Sequence, residues 1–288
     1  CALRVGVGVA CRYYVHGASN LGGRRRTVTD EKIVSLHAGY SNEGRMVDAF
    51  LSRPQTPGPH PAVVVISGMG GLNWFQREIT RSFARAGFVS LAPDLFDGYQ
   101  APDHATQLLA KNSLDVDQTV RNLAAGTEFL RALPWVDTTA PVGVIGFCLG
   151  GGLALYCLGR TSAFGAGVIY YHSMFPDPSE LEGIQAKMLC HYGTVDKSTP
   201  REEVEAFRET LEGYGKEFEI VYHEGVGHAF LSPNQDSSAS RANAAAASLE
   251  QSFAFLHAEL GGRQPATPKA SRKAASPEAG LVTAETSG

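Results

Sequence analysis

A cysteine in the middle of the chain stands in a pattern typical of an enzymatic nucleophile. Cys148 lies between Gly146 and Gly150 in the order Gly-x-Cys-x-Gly, and the apolar run Val142–Ile145 precedes it. This pattern predicts a strand that turns sharply into a helix, with Cys148 exposed at the tip of the turn. A helix N-terminus favours the thiolate, which is the nucleophilic form of cysteine. The peptide N–H of Leu149 would point the same way and could hold the oxyanion of a tetrahedral intermediate.

Two simpler interpretations of this segment must be weighed. Cys148 could be a small buried hydrophobe in a glycine-rich turn, because free cysteines are often buried. The glycines could also belong to a phosphate-binding loop, but the lysine that such a loop needs after Gly150 and Gly151 is absent. The buried cysteine therefore stays open as the alternative, and the phosphate loop is set aside.

An acid and a base follow the cysteine in the order nucleophile, acid, base. Asp196 comes after the apolar run Lys187–Tyr192, and His228 lies in a glycine-containing loop after the strand pattern Phe218–Tyr222. Open α/β sheets build their sites just beyond the carboxyl ends of strands, which is where all three residues stand. Taken singly, Asp196 could be a turn or helix-capping residue, and His228 an ordinary loop histidine. Together with Cys148 they predict a Cys-His-Asp triad.

The elements that must position these residues alternate between strand and helix. The predicted strands are Ile33–His37, Met46–Leu51, Ala62–Ile66, Phe88–Ala92, Val142–Ile145, Phe164–Tyr171, Lys187–Tyr192 and Phe218–Tyr222. The predicted helices are Trp74–Ala86, Asp103–Lys111, Asp115–Leu133, Leu149–Leu158, Pro200–Tyr214 and Ala239–Leu260. This alternation is typical of a parallel sheet, so the fold class is predicted to be α/β.

Charge is unevenly distributed along the 288 residues. The formal net charge is −4, but residues 27–261 hold 16 basic and 27 acidic side chains, which gives −11. Such an acidic body argues against a nucleic-acid binder. Residues 1–26 are basic and begin with Cys rather than Met, so we expect a disordered leader or an artefact. Residues 262–288, rich in Ala, Pro, Ser and Thr, are expected to be a disordered tail.

Cysteine usage and hydropathy exclude further classes. The five cysteines include no Cys-x-x-Cys pair, so they indicate neither a disulfide framework nor a zinc site, and we expect a reducing, cytoplasmic location. Between Thr138 and Pro176 the only charged residue is Arg160, but the glycines there favour a buried strand, turn and helix over a membrane span. We therefore predict no metal site and no membrane segment.

From about Ile33 to Leu260 the chain resembles the dienelactone hydrolase (carboxymethylenebutenolidase) family. The segments that carry the resemblance are Ala92–Phe96, Gly146–Gly151, Gly193 with Asp196, and Gly227–Phe230. The resemblance implies an α/β-hydrolase fold over residues 27–261, with a mostly parallel central sheet and helices on both faces. It further implies that His228 is the general base and that Asp196 fixes its tautomer. A second oxyanion N–H, from Met69, is also implied.

Several positions depart from the family's pattern. Members that open dienelactone usually carry a Glu after the third predicted strand, and this sequence has Gly68 at that position. In those members the Glu pairs with an Arg. Residues Phe96–Tyr99, where that Arg is expected, contain none. The Ser and Arg expected to hold the substrate carboxylate fall on Ala229 and Ser232. An unpaired carboxylate is costly to remove from water. We therefore expect a neutral ester, lactone or thioester as substrate.

Four candidate substrate contacts lie in or beside loops that follow strands. They are Trp74, Tyr99, Tyr171 and His172. Trp74 could instead pack, with Phe75, against the start of the following helix. His172 could donate a hydrogen bond near the leaving group, or it could be a surface histidine.

The sequence thus predicts a hydrolase of carboxylic ester or lactone bonds that uses a Cys-His-Asp triad and an acyl-enzyme, without a cofactor. Its partner would be a small-molecule substrate, and we expect a monomer or a weak homodimer. Two rivals remain. One is an acyl or thioester transferase, in which another nucleophile outcompetes water. The other is a non-catalytic binding protein with the same fold. The missing Glu and Arg favour this second interpretation.

Overall fold

The structure, a computed structural model, describes residues 32–234 and 237–261. The leader predicted for residues 1–26 and the tail predicted for residues 262–288 lie outside the described residues. The described part contains a single eight-stranded sheet with helices on both faces. This architecture confirms the predicted α/β class.

The sheet is parallel except at one edge. Its strands are β1 (Ile33–Asn42), β2 (Arg45–Pro54), β3 (Ala62–Ile66), β4 (Val89–Pro93), β5 (Val142–Phe147), β6 (Phe164–Tyr170), β7 (Lys187–Gly193) and β8 (Phe218–His223). Their spatial order is β1-β2-β4-β3-β5-β6-β7-β8, and only β2 runs opposite to the other seven strands. β3, β4 and β5 are buried along their whole length because helices cover both faces, which explains their continuous apolar sequences.

The hairpin at the sheet edge is longer than predicted. β1 and β2 stay paired up to Asn42 and Arg45, and the turn consists of Glu43 and Gly44. Both turn residues have positive φ angles, 49° and 80°. A two-residue turn of this kind matches the twist of the strands, so pairing continues through polar residues that carry no strand signal.

Seven helices lie within the described residues. They are α1 (Trp74–Arg85), α2 (His104–Asn112), α3 (Val116–Arg131), α4 (Leu149–Arg160), α5 (Pro178–Leu181), α6 (Arg201–Gly213) and α7 (Ala239–Leu260). Only the four-residue α5 was not predicted, because one helical turn is too short to show a periodic pattern. α1 and α7 pack together through Phe83 and Phe253, whose ring centroids are 5.0 Å apart.

The order of the strands reverses at β3. The chain passes from β3 through α1 to β4 on one side, and then returns past β3 through α3 to β5 on the other side. Because such crossovers are right-handed, the reversal places α1 and α3 on opposite faces of the sheet. It also opens a crevice at the carboxyl ends of β3 and β5, where ligands of open α/β sheets bind.

The apolar stretch from Thr138 to Pro176 contains β5, α4 and β6, as the glycines in it predict. β5 and β6 are central strands of the sheet, and α4 covers them. No helix in residues 32–234 or 237–261 is both long enough and apolar enough to cross a membrane.

Candidate active site

Cys148 occupies the turn between β5 and α4. Its backbone has φ 55° and ψ −116°, a strained conformation that is common at functional sites. A Cβ atom on Gly146 would lie 2.0 Å from the carbonyl oxygen of Gly150, and a Cβ atom on Gly150 would lie 2.4 Å from that of Ile66. Only glycine fits at these two positions, which explains the Gly-x-Cys-x-Gly pattern.

The sulfur of Cys148 is surrounded by hydrogen-bond donors. Its Sγ is 3.1 Å from the Oγ of Ser173, and hydrogen bonding with His228 and with the backbone N–H of Leu149 acts to lower the pKa of its thiol. α4 begins at Leu149, so the positive end of a 12-residue helix faces the sulfur. The side chain is partly exposed, which does not fit the alternative of a buried apolar cysteine.

His228 is held by a buried carboxylate. Its Nδ1 is 2.9 Å from Oδ2 of Asp196, whose side chain has no exposed surface. The other carboxylate oxygen accepts hydrogen bonds from the backbone N–H groups of Ser198, at 2.8 Å, and Thr199, at 3.0 Å. Three donors thus compensate for burying the charge. This pairing leaves Nε2 as the ring nitrogen of His228 that can interact with Cys148.

The ionisation of Cys148 and His228 is coupled. Burial raises the pKa of the Cys148 thiol, but the hydrogen bond and charge of His228, together with hydrogen bonds from Ser173 and Leu149, outweigh burial, so the pKa is lowered overall. Burial lowers the pKa of His228, yet its bonds to Asp196 and Cys148 raise the pKa to about 9. Both shifts favour a thiolate–imidazolium pair at neutral pH.

The residues that form this site lie within a recognisable family pattern. The sequence profile described as "Dienelactone hydrolase family" matches residues 47–260, which include Cys148, Asp196 and His228. The chain belongs to the dienelactone hydrolase family. It is therefore a hydrolase that acts on ester or lactone bonds.

Curated relatives and solved structures agree with this membership. A Bradyrhizobium protein named "Probable 2-oxo-3-(5-oxofuran-2-ylidene)propanoate lactonase" is 28% identical over 239 residues, covering 78% of this chain and 94% of the relative. Carboxymethylenebutenolidase 1 of Cupriavidus pinatubonensis is 29% identical over 217 residues, covering 69% and 88%. A dienelactone hydrolase-like promiscuous phosphotriesterase from metagenomic libraries is 24% identical with a TM-score of 0.71, covering 80% and 100%, and shows the shared fold.

The loop after β3 lies directly against Cys148 in this family member. A Cβ atom on Gly68 would be 3.3 Å from the Cβ and 4.0 Å from the Sγ of Cys148. Gly68, where a Glu was expected from the resemblance, therefore brings no acid to the sulfur. Met69 follows it in the loop, and its N–H as the second oxyanion donor stays a prediction.

The two candidate substrate contacts that follow β6 are both buried. Tyr171 has a φ of 34°, and its ring centroid is 5.1 Å from that of His228. His172 is fully buried, its Nδ1 is 2.7 Å from the hydroxyl of Tyr192, and burial lowers its pKa to about 3. His172 is therefore neither a surface histidine nor open to solvent. It packs as a neutral ring in the core beneath the site.

The other two candidates are exposed on the edge of the sheet where the site lies. Trp74 is 60% exposed at the start of α1, and Tyr99 is 51% exposed in the loop after β4. That loop packs against the loop after β3, because a Cβ atom on Gly71 would lie 3.2 Å from the Phe96 ring. A cavity of about 580 Å³ opens beside Tyr99 and Phe96, under α2.

Sequence reasoning did not single out Ser173. A lone serine in a loop after β6 carries no pattern, and only the fold brings its hydroxyl to the sulfur of Cys148. No cluster of three or more His, Cys, Asp or Glu side chains that could hold a metal lies within residues 32–234 and 237–261.

We expect His228→Ala to raise the apparent pKa of the Cys148 thiol, because burial would remain while the hydrogen bond and the positive charge would be lost. Ultraviolet absorbance of the thiolate, followed against pH, measures this change. In the wild type, the rate at which the thiolate–imidazolium pair reacts with an alkylating reagent should increase as pH rises through the pKa of Cys148. This rate should change again near pH 9, where His228 loses its proton.

His104→Ala is the control for this titration, because His104 is exposed at the start of α2. Its thiolate titration should match the wild type. An unchanged titration in His228→Ala would show that His228 does not activate the cysteine.

Proposed function

We propose that this hydrolase cleaves neutral carboxylic esters, lactones or thioesters through an acyl-enzyme on Cys148. The observation that supports the proposal is the 2.9 Å hydrogen bond between the Asp196 carboxylate and Nδ1 of His228, together with the opposed pKa shifts that His228 and Cys148 cause in each other. The substrate would be a small molecule. A cytoplasmic location and a monomeric or weakly dimeric state stay predictions.

Acylation begins when the Cys148 thiolate attacks the carbonyl carbon of the substrate. The N–H groups of Leu149 and Met69 would stabilise the oxyanion of the tetrahedral intermediate. When the intermediate collapses, the imidazolium of His228 gives its proton to the leaving alkoxide or thiolate, which becomes an alcohol or a thiol. The acyl group then remains on the sulfur as a thioester.

Deacylation uses the same base. Neutral His228 takes a proton from water, the hydroxide attacks the thioester carbonyl, and Cys148 leaves as the thiolate. Asp196 keeps Nδ1 protonated throughout, so Nε2 can accept and return the proton. The cycle releases a carboxylic acid and restores the thiolate–imidazolium pair without a cofactor.

The preference for neutral substrates follows from the charges around the site. Ala229 and Ser232 stand where a Ser and an Arg that hold a substrate carboxylate were expected, and residues 27–261 carry a net charge of −11, which repels anions. Two cations, Lys197 and Arg241, do line a small cavity beside His228. Arg241 directs its guanidinium to the carbonyl oxygens of Phe230 and Leu231, at 3.0 and 3.5 Å.

A pair of esters that differ only in charge tests this preference. p-Nitrophenyl valerate and mono-p-nitrophenyl glutarate have chains of equal length, and only the second ends in a carboxylate. We expect kcat/KM to be at least about ten-fold higher for the neutral ester, since an unpaired carboxylate costs more than the 1.4 kcal/mol that corresponds to ten-fold. Equal or reversed values would contradict the preference and make Arg241 the next residue to test.

Covalent trapping tests the mechanism itself. Enzyme mixed with a slowly hydrolysed ester and quenched in acid should gain the mass of one acyl group, and peptide mapping should place it on Cys148. Esters with different leaving groups but a common acyl group should give the same adduct. Rapid hydrolysis with no acylated protein at any time would argue against the acyl-enzyme.

A further inference from the structure

We infer that the hydroxyl of Ser173 is a further catalytic hydrogen-bond donor, which holds the Cys148 sulfur as a thiolate together with His228. The inference rests on the proposed role of Cys148 as the nucleophile. It concerns a side chain outside the triad, on the loop that follows β6.

Two contacts join Ser173 to the nucleophile. Its Oγ is 3.1 Å from the Sγ of Cys148, and its backbone N–H donates to the carbonyl oxygen of the same cysteine at 3.2 Å. The backbone hydrogen bond fixes the position of Ser173, so its hydroxyl is held next to the sulfur. Ser173 is partly buried, which protects the bond from competition with water.

The glycines that follow the nucleophile make this approach possible. A Cβ atom on Gly151 would lie 2.8 Å from the Cβ of His172, and a Cβ atom on Gly152 would lie 2.3 Å from the carbonyl oxygen of Met174. The loop that carries Ser173 thus packs directly on the backbone of the first turn of α4. The turn from β5 into α4 itself needs only the glycines at 146 and 150, so Gly151 and Gly152 are explained by the loop that delivers Ser173.

A hydrogen-bond donor is useful here because the residue on the other side of Cys148 has no side chain. Gly68 lies against Cys148 and has no side chain to interact with the sulfur. Burial alone would raise the pKa of the thiol, and hydrogen bonds from His228 and Ser173 oppose that effect. A hydroxyl can donate to a thiolate, whereas a neutral thiol has its own hydrogen and needs no donor. The bond therefore favours the charged form.

The same bond has opposite effects on the two halves of the reaction. A stabilised thiolate is a somewhat weaker nucleophile, but it is a better leaving group. Ser173 should therefore help most in deacylation, when the thioester breaks and the charge returns to the sulfur. Loss of the hydroxyl should slow deacylation more than acylation, so that more acyl-enzyme accumulates.

The test compares Ser173→Ala, Ser173→Thr and Ser173→Val by the pH dependence of Cys148 alkylation with iodoacetamide. Threonine and valine have the same shape, and only threonine keeps the hydroxyl. At a pH below the wild-type pKa of the thiol, we expect the alanine and valine variants to react about ten-fold more slowly, as for loss of a hydrogen bond to a charged group. The threonine variant should react faster than the valine variant. Ser162→Ala, at an exposed serine after α4, should match the wild type.

Each outcome decides the inference. Equal alkylation profiles in wild type and Ser173→Ala, or in the threonine and valine variants, would overturn it even if the enzyme hydrolyses esters well. A shifted profile in a protein that hydrolyses none of the esters would support Ser173 and reject the proposed function. If Ser173→Ala does not fold, the threonine and valine pair still separates the hydroxyl from packing.

Discussion

Replacing Cys148 by alanine is expected to lower kcat/KM for p-nitrophenyl esters by at least about 10⁴-fold, as for other nucleophiles of catalytic triads. The variant removes the attacking atom, and Asp196 and His228 cannot form the acyl-enzyme by themselves. Because the Cys148 side chain is partly exposed, little buried surface is lost and the fold should stay intact. Initial rates and urea unfolding, measured on the same samples, check both expectations.

Cys157→Ala is the matched control for this variant. Cys157 lies further along α4 and is fully buried, and burial holds the pKa of its thiol far above the usual range. It should keep activity within about two-fold of wild type and lose on the order of 1 kcal/mol of stability, as small core truncations do. Hydrolysis that survives in Cys148→Ala would exclude the cysteine mechanism. Iodoacetamide labelling of Cys148 no faster than of Cys157 would instead favour a non-catalytic binding protein.

Gly146→Ala is expected to destabilise the protein by more than about 3 kcal/mol, at the upper end of the cost of overpacking. The new Cβ atom would lie 2.0 Å from the carbonyl oxygen and 2.5 Å from the carbonyl carbon of Gly150. Both atoms belong to the backbone, so no side chain can rotate away to relieve the overlap. Relief would require the turn at Cys148 to open. Urea unfolding followed by circular dichroism measures the change in free energy of unfolding.

Gly213→Ala is the control for this substitution. Gly213 ends α6, and a Cβ atom there would meet nothing within 4 Å. Alanine is a better helix former than glycine, so this variant should be unchanged or more stable by up to about 1 kcal/mol. Equal free energies of unfolding for Gly146→Ala and the wild type would show that the turn is looser than the contacts indicate.

Much of the fold could be predicted because its signals are local. Buried parallel strands require continuous apolar runs, and β3 and β4 show such runs directly in the sequence. The spacing of glycines around Cys148 is set by contacts within a few residues and with the end of β3. The ends of strands were harder to predict where strand pairing overrides the conformational preference of the local sequence, as in the extension of β1 to Asn42.

The site was predictable in part, for a reason of topology. Parallel strands carry their carboxyl ends to one edge, so residues that follow β5, β7 and β8 must lie near one another. That argument locates Cys148, Asp196 and His228 on one edge. It gives neither the 2.9 Å separation of His228 and Asp196 nor the direction of the coupled pKa shifts.

The sequence by itself determined the class of fold, the turn that exposes Cys148, and the order of the residues with catalytic chemistry. Only the tertiary structure decided the immediate surroundings of those residues. It buried His172 against Tyr192, and it brought the hydroxyl of Ser173 to the sulfur of Cys148. The physical reason is that turns and strands follow from short-range sterics and burial, whereas these contacts join residues 20 or more positions apart in the chain. They depend on how closely one loop packs on a neighbouring helix, which no local pattern encodes.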